Sequence, residues 1–209
     1  MLEISNLKKG FSDRNVLNGV TFDLRIGSRT AIVGGVGSGK TALLDSILGY
    51  QKFTNGTVLF ENKKLPYENS SKVVELRRRV GYLSEKNHFL KGATLYNHFK
   101  WIFKLQESQI VDLTAELELS TNLYSRVESL SEAELWRFKL ALASVGAEIL
   151  LIDDPLSSLS FNESVEALTL LFRFLEQRRV GLLITTSEEE LIKGFYMDRV
   201  YRLTDGVLV

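Results

Sequence analysis

Residues 34–41, with the sequence GGVGSGKT, are of the types that bind a polyphosphate. Gly34 and Gly39, with Lys40 and Thr41 directly after the second glycine, fit the phosphate-binding loop pattern of Gly, four free positions, Gly, Lys and then Ser or Thr. Glycines allow positive φ angles and let backbone N–H groups approach an anion closely. Lys40 is predicted to supply positive charge to the β- and γ-phosphates, and the Thr41 hydroxyl is predicted to bind Mg²⁺. The residues predicted to contact a nucleotide are Gly34, Gly35, Val36, Gly37, Ser38, Gly39, Lys40, Thr41 and Ala42.

The segments on either side of the loop agree with this prediction. Residues 29–33 (RTAIV) form a short β-branched run typical of a buried strand, and residues 42–48 (ALLDSIL) form an apolar helical stretch. The phosphate would then lie at a helix N-terminus, where the helix dipole favours an anion. A glycine-rich turn without a ligand is the alternative, and this order of strand, loop and helix disfavours it.

A second candidate for chemistry is the acid pair in residues 148–154 (EILLIDD). Four apolar residues predict a buried strand, and two adjacent carboxylates at its end are costly unless a cation meets them. Mg²⁺ is such a cation in phosphate-loop enzymes, so Asp153 is predicted to hold the metal through water and Asp154 to polarise the attacking water. A solvated strand end is the alternative, and the presence of the phosphate loop weakens it.

Composition excludes several classes of protein. The chain has 209 residues, 44% of them hydrophobic, which is enough for one core and a small additional lobe. Twenty-six basic residues balance 26 acidic ones, so no global field attracts nucleic acid or an anionic membrane. Cysteine is absent, which excludes disulfides and thiol chemistry. The polar start predicts no signal peptide, and no apolar run reaches the roughly 18 residues of a membrane span.

The order of the predicted elements indicates an α/β fold. Alternating patterns over residues 2–7 and 20–26 predict strands of an antiparallel edge sheet, and a further strand is expected at 57–60 after a turn at Asn55 and Gly56. Buried strands are predicted at 80–83, 149–152 and 180–185, and a helix at 163–177. Strands that alternate with helices predict a parallel sheet. Helical periodicity between 94 and 142 predicts a helical subdomain, at approximately 86–145, inserted into this core.

With these motifs in order, the chain resembles the ATP-binding cassette (ABC) family over essentially its whole length. The matching segments are Phe11, GGVGSGKT, Glu85 in VGYLSEKN, LSEAE at 130–134, LLIDDPLSSLS, and LLITTS ending at Ser187. The segment 76–98 further resembles the small stand-alone ATPases of cell-division and lipoprotein-release transporters. The resemblance implies one ABC domain over 1–209, of the phosphate-loop NTPase class.

The resemblance assigns a role to each matching position. Phe11 would stack on adenine, although an ordinary core aromatic is an equal alternative. Ser131 would face the γ-phosphate of ATP bound to the opposite subunit, because these proteins close as head-to-tail dimers. Glu85 would contact Mg²⁺, as would Thr41 and Asp153. Lys40, Asp154 and the position of Ser187 would act in catalysis.

Several of these positions depart from the family pattern. The usual signature Leu-Ser-Gly-Gly-Gln has Glu132 and Ala133 in place of its two glycines, so side chains obstruct close approach to a phosphate. Glu134 replaces the glutamine that ends the signature. The usual catalytic glutamate is Asp154, whose oxygens are withdrawn by about 1.5 Å, one C–C bond.

Three further positions depart from the family pattern. Glu85 replaces a glutamine, Ser160 an aspartate, and Ser187 the histidine that contacts the γ-phosphate. A carboxylate at Glu85 can still bind Mg²⁺. Groups that bind nucleotide within one subunit are intact, whereas those that complete the site across the dimer or activate water are altered. The sequence therefore predicts binding of ATP and Mg²⁺ with slow hydrolysis in isolation.

Two functions follow from the resemblance. The first is the ATPase subunit of a transporter or transporter-like complex, working with a separate transmembrane subunit, as a homodimer or as a heterodimer with another ABC cassette. The chain is then expected in the cytoplasm, peripheral on the inner face of the cell membrane. The second is a degenerate regulatory cassette that binds nucleotide beside a competent partner. Nucleic acid is not an expected partner, because the net charge is zero.

Overall fold

The computed structural model describes residues 1–11, 14–65, 70–84, 89–154, 156 and 158–209. These form two compact units, the first of residues 1–82, 146–154 and 179–209, and the second of residues 83–145 and 155–178. None of the helices in the described residues is both long enough and apolar enough to cross a bilayer.

Ten strands and three helices are found among the described residues of the first unit. Its strands are β1 (Leu2–Phe11), β2 (Arg14–Leu24), β3 (Arg29–Val33), β4 (Asn55–Phe60), β5 (Lys63–Lys64), β6 (Val80–Leu83), β7 (Ile149–Asp153), β8 (Gly181–Thr186), β9 (Arg199–Thr204) and β10 (Val207–Leu208). Its helices are α1 (Lys40–Ile47), α2 (Ser70–Arg79) and α7 (Glu189–Lys193).

The phosphate loop follows a strand of a six-stranded sheet with the order β10-β9-β3-β8-β7-β6. Strands β7, β8, β3 and β9 run parallel, and Ala31 of β3 lies opposite Ile184 of β8 and Val200 of β9. Every residue of β7 and of β8 is buried. The predicted parallel core sheet is confirmed, because such doubly buried strands need continuous apolar runs.

A second, antiparallel sheet has the order β2-β1-β4-β5. Leu2 of β1 pairs with Leu24 of β2 on one side and with Phe60 of β4 on the other, which confirms the edge sheet. The predicted turn at Asn55 and Gly56 is wrong, because both residues lie in β4. Gly56 has φ 110°, and a Cβ there would be 2.6 Å from the Asn6 carbonyl oxygen. The glycine therefore allows two strands to approach closely rather than reverse the chain.

The structure has two strands after β8, whereas the sequence pattern predicted β8 as the last strand. Strand β9 pairs in parallel with β3, and β10 pairs with β9 in an antiparallel manner. Of the six residues of β9 only Leu203 is buried, so no alternating or continuous apolar run marks it. Strands β9 and β10, at this edge of the sheet, are therefore recognisable only from their pairing with neighbouring strands.

The second unit is helical. It contains α3 (Leu95–His98), a π-helical turn at Phe99–Phe103, α4 (Glu107–Glu116), α5 (Glu132–Ser144) and α6 (Phe161–Glu176). Short 3-10 turns at Ser120–Asn122 and Val127–Ser129 connect α4 to α5. Lys104 at φ 55° ends the π-helical turn, so the helical periodicity between 94 and 142 belongs to several short helices. Phe138 stacks on Phe89 at 5.6 Å and meets Phe99 edge-on at 5.7 Å in the core of this unit.

Candidate nucleotide-binding site

The glycines of the phosphate loop occupy backbone positions that other residues would strain. Gly37 has φ 78° and Gly39 has φ 107°. A Cβ on Gly39 would lie 2.9 Å from the Val16 carbonyl oxygen, and one on Gly34 would lie 2.7 Å from that of Leu203. Close approach of neighbouring backbone thus requires glycine at positions 34 and 39, and positive φ favours it at positions 37 and 39.

The loop leads directly into the N-terminus of α1. Gly39 precedes the helix and has no side chain to cap it, and the first turn of α1 carries no acidic residue. The Ser38 hydroxyl is buried and has no hydrogen-bond partner among the described residues. Uncapped N–H groups and the helix dipole favour an anion here. Val36, 97% exposed, lies in the part of the loop that is open to a ligand.

Lys40, the first residue of α1, is folded back over the loop. Its side chain is only 7% exposed, and Nζ donates to the carbonyl oxygens of Gly34 at 2.6 Å and Gly35 at 3.1 Å. Nζ also lies 3.8 Å from Oδ2 of Asp154. The ammonium therefore lies between the loop and the acid pair. Buried ammonium groups require such partners, and a phosphate is a stronger one than a carbonyl.

Asp153 ends β7 and is buried, with 6% exposure. Its Oδ1 accepts a hydrogen bond from Thr185 Oγ1 at 3.0 Å, and its Oδ2 accepts one from the Tyr82 hydroxyl at 3.3 Å. Burial raises the pKa of Asp153 above its ordinary value, while hydrogen bonds from Thr41, Thr185 and Tyr82 act in the opposite direction. Burial also raises the pKa of Tyr82, and the nearby Asp153 carboxylate adds to this effect. A cation is the partner that would stabilise the ionised form of Asp153.

Asp154 adopts a positive φ of 40° directly after β7. Its N–H donates to the Thr185 carbonyl oxygen at 3.0 Å, and its Oδ2 accepts from the exposed Ser187 hydroxyl at 3.3 Å. Aspartate tolerates this left-handed conformation better than most residues, and strained backbone is common at functional sites. Within the first unit the structure thus brings Asp154 to Ser187 and Lys40, the three residues predicted to be catalytic.

The donor set fits Mg²⁺ bound together with a nucleotide. Asp153 and Thr41 supply a carboxylate and a hydroxyl oxygen that are hydrogen-bonded to each other. The described residues contain no cluster of three or more His, Cys, Asp or Glu side chains that could hold a metal ion. Mg²⁺ is commonly bound by one or two protein oxygens, with phosphates and water completing its shell, so this sparse set suits it.

Three further residues are predicted to contact the nucleotide or the metal, namely Ser131, Glu85 and Phe11. Ser131 belongs to the second unit, where its side chain caps α5. The Ser131 backbone N–H donates to Glu134 Oε2 at 2.8 Å, and the Glu134 N–H donates to Ser131 Oγ at 3.3 Å, which forms a capping box. Glu85 and the side chain of Phe11 lie outside the described residues.

Sequence reasoning missed two residues that contact Asp153, namely Tyr82 and Thr185. Thr185 is fully buried in β8, and a polar residue within a buried apolar strand was the available signal. Tyr82 carried no such signal, because an aromatic residue in a short strand is ordinary.

The strand, glycine loop and helix, with an acid pair on a neighbouring parallel strand, define an α/β phosphate-loop nucleotide-binding protein. The family described as ABC transporter matches residues 17–157, a span that includes the loop and both acids. The chain belongs to this family and is an ABC-type ATPase that binds ATP.

Two relatives match nearly the whole chain. The methionine import ATP-binding protein MetN of Clostridium acetobutylicum is 29% identical over 216 residues, which cover 100% of this chain and 67% of that protein. The lipoprotein-releasing system ATP-binding protein LolD of Syntrophotalea carbinolica is 29% identical over 219 residues, which cover 99% of this chain and 96% of that protein.

Solved structures share the fold. A dimeric bacterial ABC transporter cassette superposes with a TM-score of 0.86 at 21% identity, covering 100% of this chain and 96% of that one. The protein cbiO1 from Clostridium perfringens, part of the ABC transporter complex cbiONQ, gives a TM-score of 0.87 at 24% identity, covering 100% and 86%. The predicted cassette fold is therefore confirmed.

Proposed function

We propose that this protein is the ATP-binding subunit of an ABC transporter or transporter-like complex and couples ATP binding and slow hydrolysis to a separate membrane subunit. The observation that carries the proposal is the convergence of Lys40, Asp153 and Asp154 beside an uncapped helix N-terminus. The MetN and LolD relatives are ATP-binding proteins of a methionine import system and a lipoprotein-releasing system, which supports the transport class.

Within one subunit, the phosphate loop binds the nucleotide. The amides of residues 34–42 surround the β-phosphate, and Lys40 exchanges the carbonyl oxygens of Gly34 and Gly35 for phosphate oxygens. Thr41 and Asp153 would hold Mg²⁺, which would supply positive charge to neutralise the phosphates. Asp154 polarises the attacking water. Phe11 at the adenine and Glu85 at the metal remain predictions from the resemblance.

Across a dimer, Ser131 faces the γ-phosphate bound to the opposite subunit. A solved relative in fold is a dimeric cassette, which supports this arrangement. The side chains of Glu132 and Ala133 stand where the family has glycines, and both follow the cap of α5. Glu132 is exposed and adds negative charge near a polyphosphate. These features favour weak closure of a homodimer and slow turnover.

The surface for the membrane subunit is proposed at residues 85–105, of which the structure describes 89–105, in the second unit. Trp101 is 60% exposed and Leu90 is 41% exposed, and both are large apolar side chains. Phe89, in contrast, packs against Phe138 in the core of the unit. Large apolar side chains that are exposed close together occur more often on interaction surfaces than on the rest of a protein surface. Through this contact the protein is held at the inner face of the cell membrane.

The degenerate cassette is a second candidate, and one contact favours it. Asp154 already accepts a hydrogen bond from Ser187 and lies near Lys40, so its carboxylate is engaged within its own subunit. A cassette of this kind would bind ATP as a structural or regulatory ligand while a competent partner hydrolyses. If Asp154→Asn leaves turnover and transport of the assembled complex unchanged, this second function is the correct one.

The decisive experiment is single-turnover ATP hydrolysis by the purified protein alone and together with its co-purified membrane subunit. We expect turnover below about 1 per second alone, a modest rate among enzymes, and faster turnover in the complex. Lys40→Ala should abolish both. Turnover above this rate in the isolated protein, abolished by Lys40→Ala, would contradict slow hydrolysis. A complex whose hydrolysis survives Lys40→Ala would contradict the proposed catalytic role.

A further inference from the structure

The buried Asp153 carboxylate is surrounded by hydroxyl groups. Thr185 donates to Oδ1 and Tyr82 donates to Oδ2, while Thr41 contacts the same carboxylate from α1. Thr41 is a proposed ligand of Mg²⁺, which would use a lone pair of its hydroxyl oxygen and leave the proton to the carboxylate. Tyr82 and Thr185 are the side chains that hold the carboxylate without being proposed metal ligands themselves, one at each oxygen.

The Tyr82 hydroxyl has a second acidic neighbour. It lies 3.4 Å from Oδ1 of Asp45 in α1 and 3.3 Å from Oδ2 of Asp153 in β7. A phenol has one proton and can donate to only one of them. Asp45 is half-buried, and its Oδ2 already accepts from Gln51 Nε2 at 2.6 Å. Asp153 is the more deeply buried carboxylate, so donation to Asp153 removes the larger desolvation cost.

The backbone and packing fix the position of the hydroxyl. Tyr82 lies in β6, the neighbour of β7 in the sheet, and its ring lies 6.2 Å from that of Tyr50, at an interplanar angle of 35°. The Tyr50 side chain is exposed, and its guanidinium neighbour Arg77 lies 4.3 Å from the ring centroid. Strand β6 therefore fixes the backbone of Tyr82, and the Tyr82 hydroxyl lies between Asp45 of α1 and Asp153 of β7.

We infer that Tyr82 is a positioning residue of the metal site, whose hydroxyl orients Asp153 for a divalent cation bound with the nucleotide. The inference rests on the proposed role of Asp153 in holding Mg²⁺, directly or through a water molecule. Outer partners that orient a metal ligand usually contribute 10- to 100-fold to metal affinity. Because the contact at Oδ2 is long, we expect Tyr82→Phe to weaken cation binding by about tenfold, the lower end of that range.

The test is a titration of the ADP-loaded protein with Mn²⁺, followed by electron paramagnetic resonance, for the wild type and four variants. ADP affinity is measured in parallel in EDTA by calorimetry. Tyr82→Phe should lower Mn²⁺ affinity about tenfold while ADP affinity in EDTA stays within twofold. Tyr50→Phe is the matched control, because it removes a hydroxyl from an exposed, neighbouring ring, and it should leave both affinities unchanged.

Asp45→Asn gives an independent check that does not alter the tyrosine. It replaces the competing carboxylate with a neutral amide, whose oxygen is a weaker acceptor, so the Tyr82 hydroxyl donates to Asp153 and the Mn²⁺ affinity should be equal to or higher than in the wild type. A loss of Mn²⁺ affinity in this variant would overturn the inference.

The outcomes separate this inference from the proposed function. Asp153→Asn should abolish Mn²⁺ binding, and if it does not, the proposed metal site is wrong. If Asp153→Asn abolishes binding while Tyr82→Phe matches Tyr50→Phe, only the role of Tyr82 is overturned. An equal loss of ADP affinity in EDTA for Tyr82→Phe would show a merely structural role and would likewise overturn it.

Discussion

Lys40 Nζ lies 3.8 Å from Asp154 Oδ2, so the cation of the phosphate loop and the second acid of the pair face each other across the site. Lys40 begins α1 and Asp154 follows β7, and these elements pack together in the first unit. A nucleotide phosphate that reaches Lys40 thereby comes close to Asp154. This distance is consistent with a division of roles in which Lys40 binds the phosphates and Asp154 polarises the attacking water.

Lys40→Ala is expected to weaken ATP binding by about 100-fold, because it removes charge-assisted hydrogen bonds to phosphate. Equilibrium dialysis with labelled ATP measures this directly. Lys64→Ala is the matched control, since Lys64 is exposed in β5 of the antiparallel sheet. ATP affinity within a few-fold of wild type for Lys40→Ala would show that the loop does not hold the phosphates.

Asp154→Glu is expected to raise the rate of ATP hydrolysis about 10- to 100-fold. The added methylene advances the carboxylate by about 1.5 Å, and misplacement of about 1 Å can lower a rate about 100-fold. The positive φ at this position disfavours glutamate by about 1 kcal/mol, so the melting temperature should fall slightly. Phosphate release under steady-state conditions is the assay.

The control for that prediction is Asp154→Asn, which keeps the length of the side chain and removes its charge. It should give no increase in turnover. If Asp154→Glu binds ATP normally and still shows no gain, the length of the acid does not limit hydrolysis.

The double variant Glu132→Gly, Ala133→Gly is expected to strengthen ATP-dependent dimerisation about tenfold or more, because it lets backbone amides approach a phosphate. Both residues open α5, so the added glycines should destabilise the protein by about 1 to 2 kcal/mol. Light scattering with ATP in the Asp154→Asn background measures the dimer. Glu132→Ala separates the effect of charge, and a gain in that variant equal to that of the double variant would refute the argument from close approach.

Ser131→Ala is expected to destabilise the protein by about 1 kcal/mol, because Ser131 caps α5. Urea unfolding measures this loss. A loss of ATP-dependent dimerisation that exceeds this small change in stability would support the proposed contact with the γ-phosphate. Unchanged dimerisation in Ser131→Ala would contradict that contact.

The capping box also predicts a dependence on pH. The hydrogen bond from the Ser131 backbone N–H, followed by that from its hydroxyl, lowers the pKa of Glu134 below its ordinary value of 4.5. A lowered pKa in the folded state means stability that is present above pH 4.5 and is lost as the pH falls through the folded pKa. The difference in unfolding free energy between wild type and Glu134→Gln should therefore be constant near pH 7 and shrink below pH 4.5. A difference that grows with acid would contradict this assignment.

The sequence by itself determined the fold class, the phosphate loop and the strand that carries the acid pair. Glycine spacing and continuous apolar runs encode these features locally, because positive φ and double burial each restrict the residue types allowed. Strand β9 could not be predicted from the sequence, because five of its six residues are exposed or half-buried and its position is set by pairing with β3. The role of Gly56 was also misassigned, because contact with Asn6 is a long-range property.

Only the tertiary structure decided which side chains meet at the acid pair. Tyr82, Thr185 and Asp153 come from three strands far apart in the chain, and the sheet order makes them neighbours. Hydrogen bonds between such residues have a range of about 3 Å, whereas sequence patterns report only the burial and conformation of each segment. The loop and the acids could therefore be predicted from sequence, but the hydroxyl groups that hold Asp153 could not.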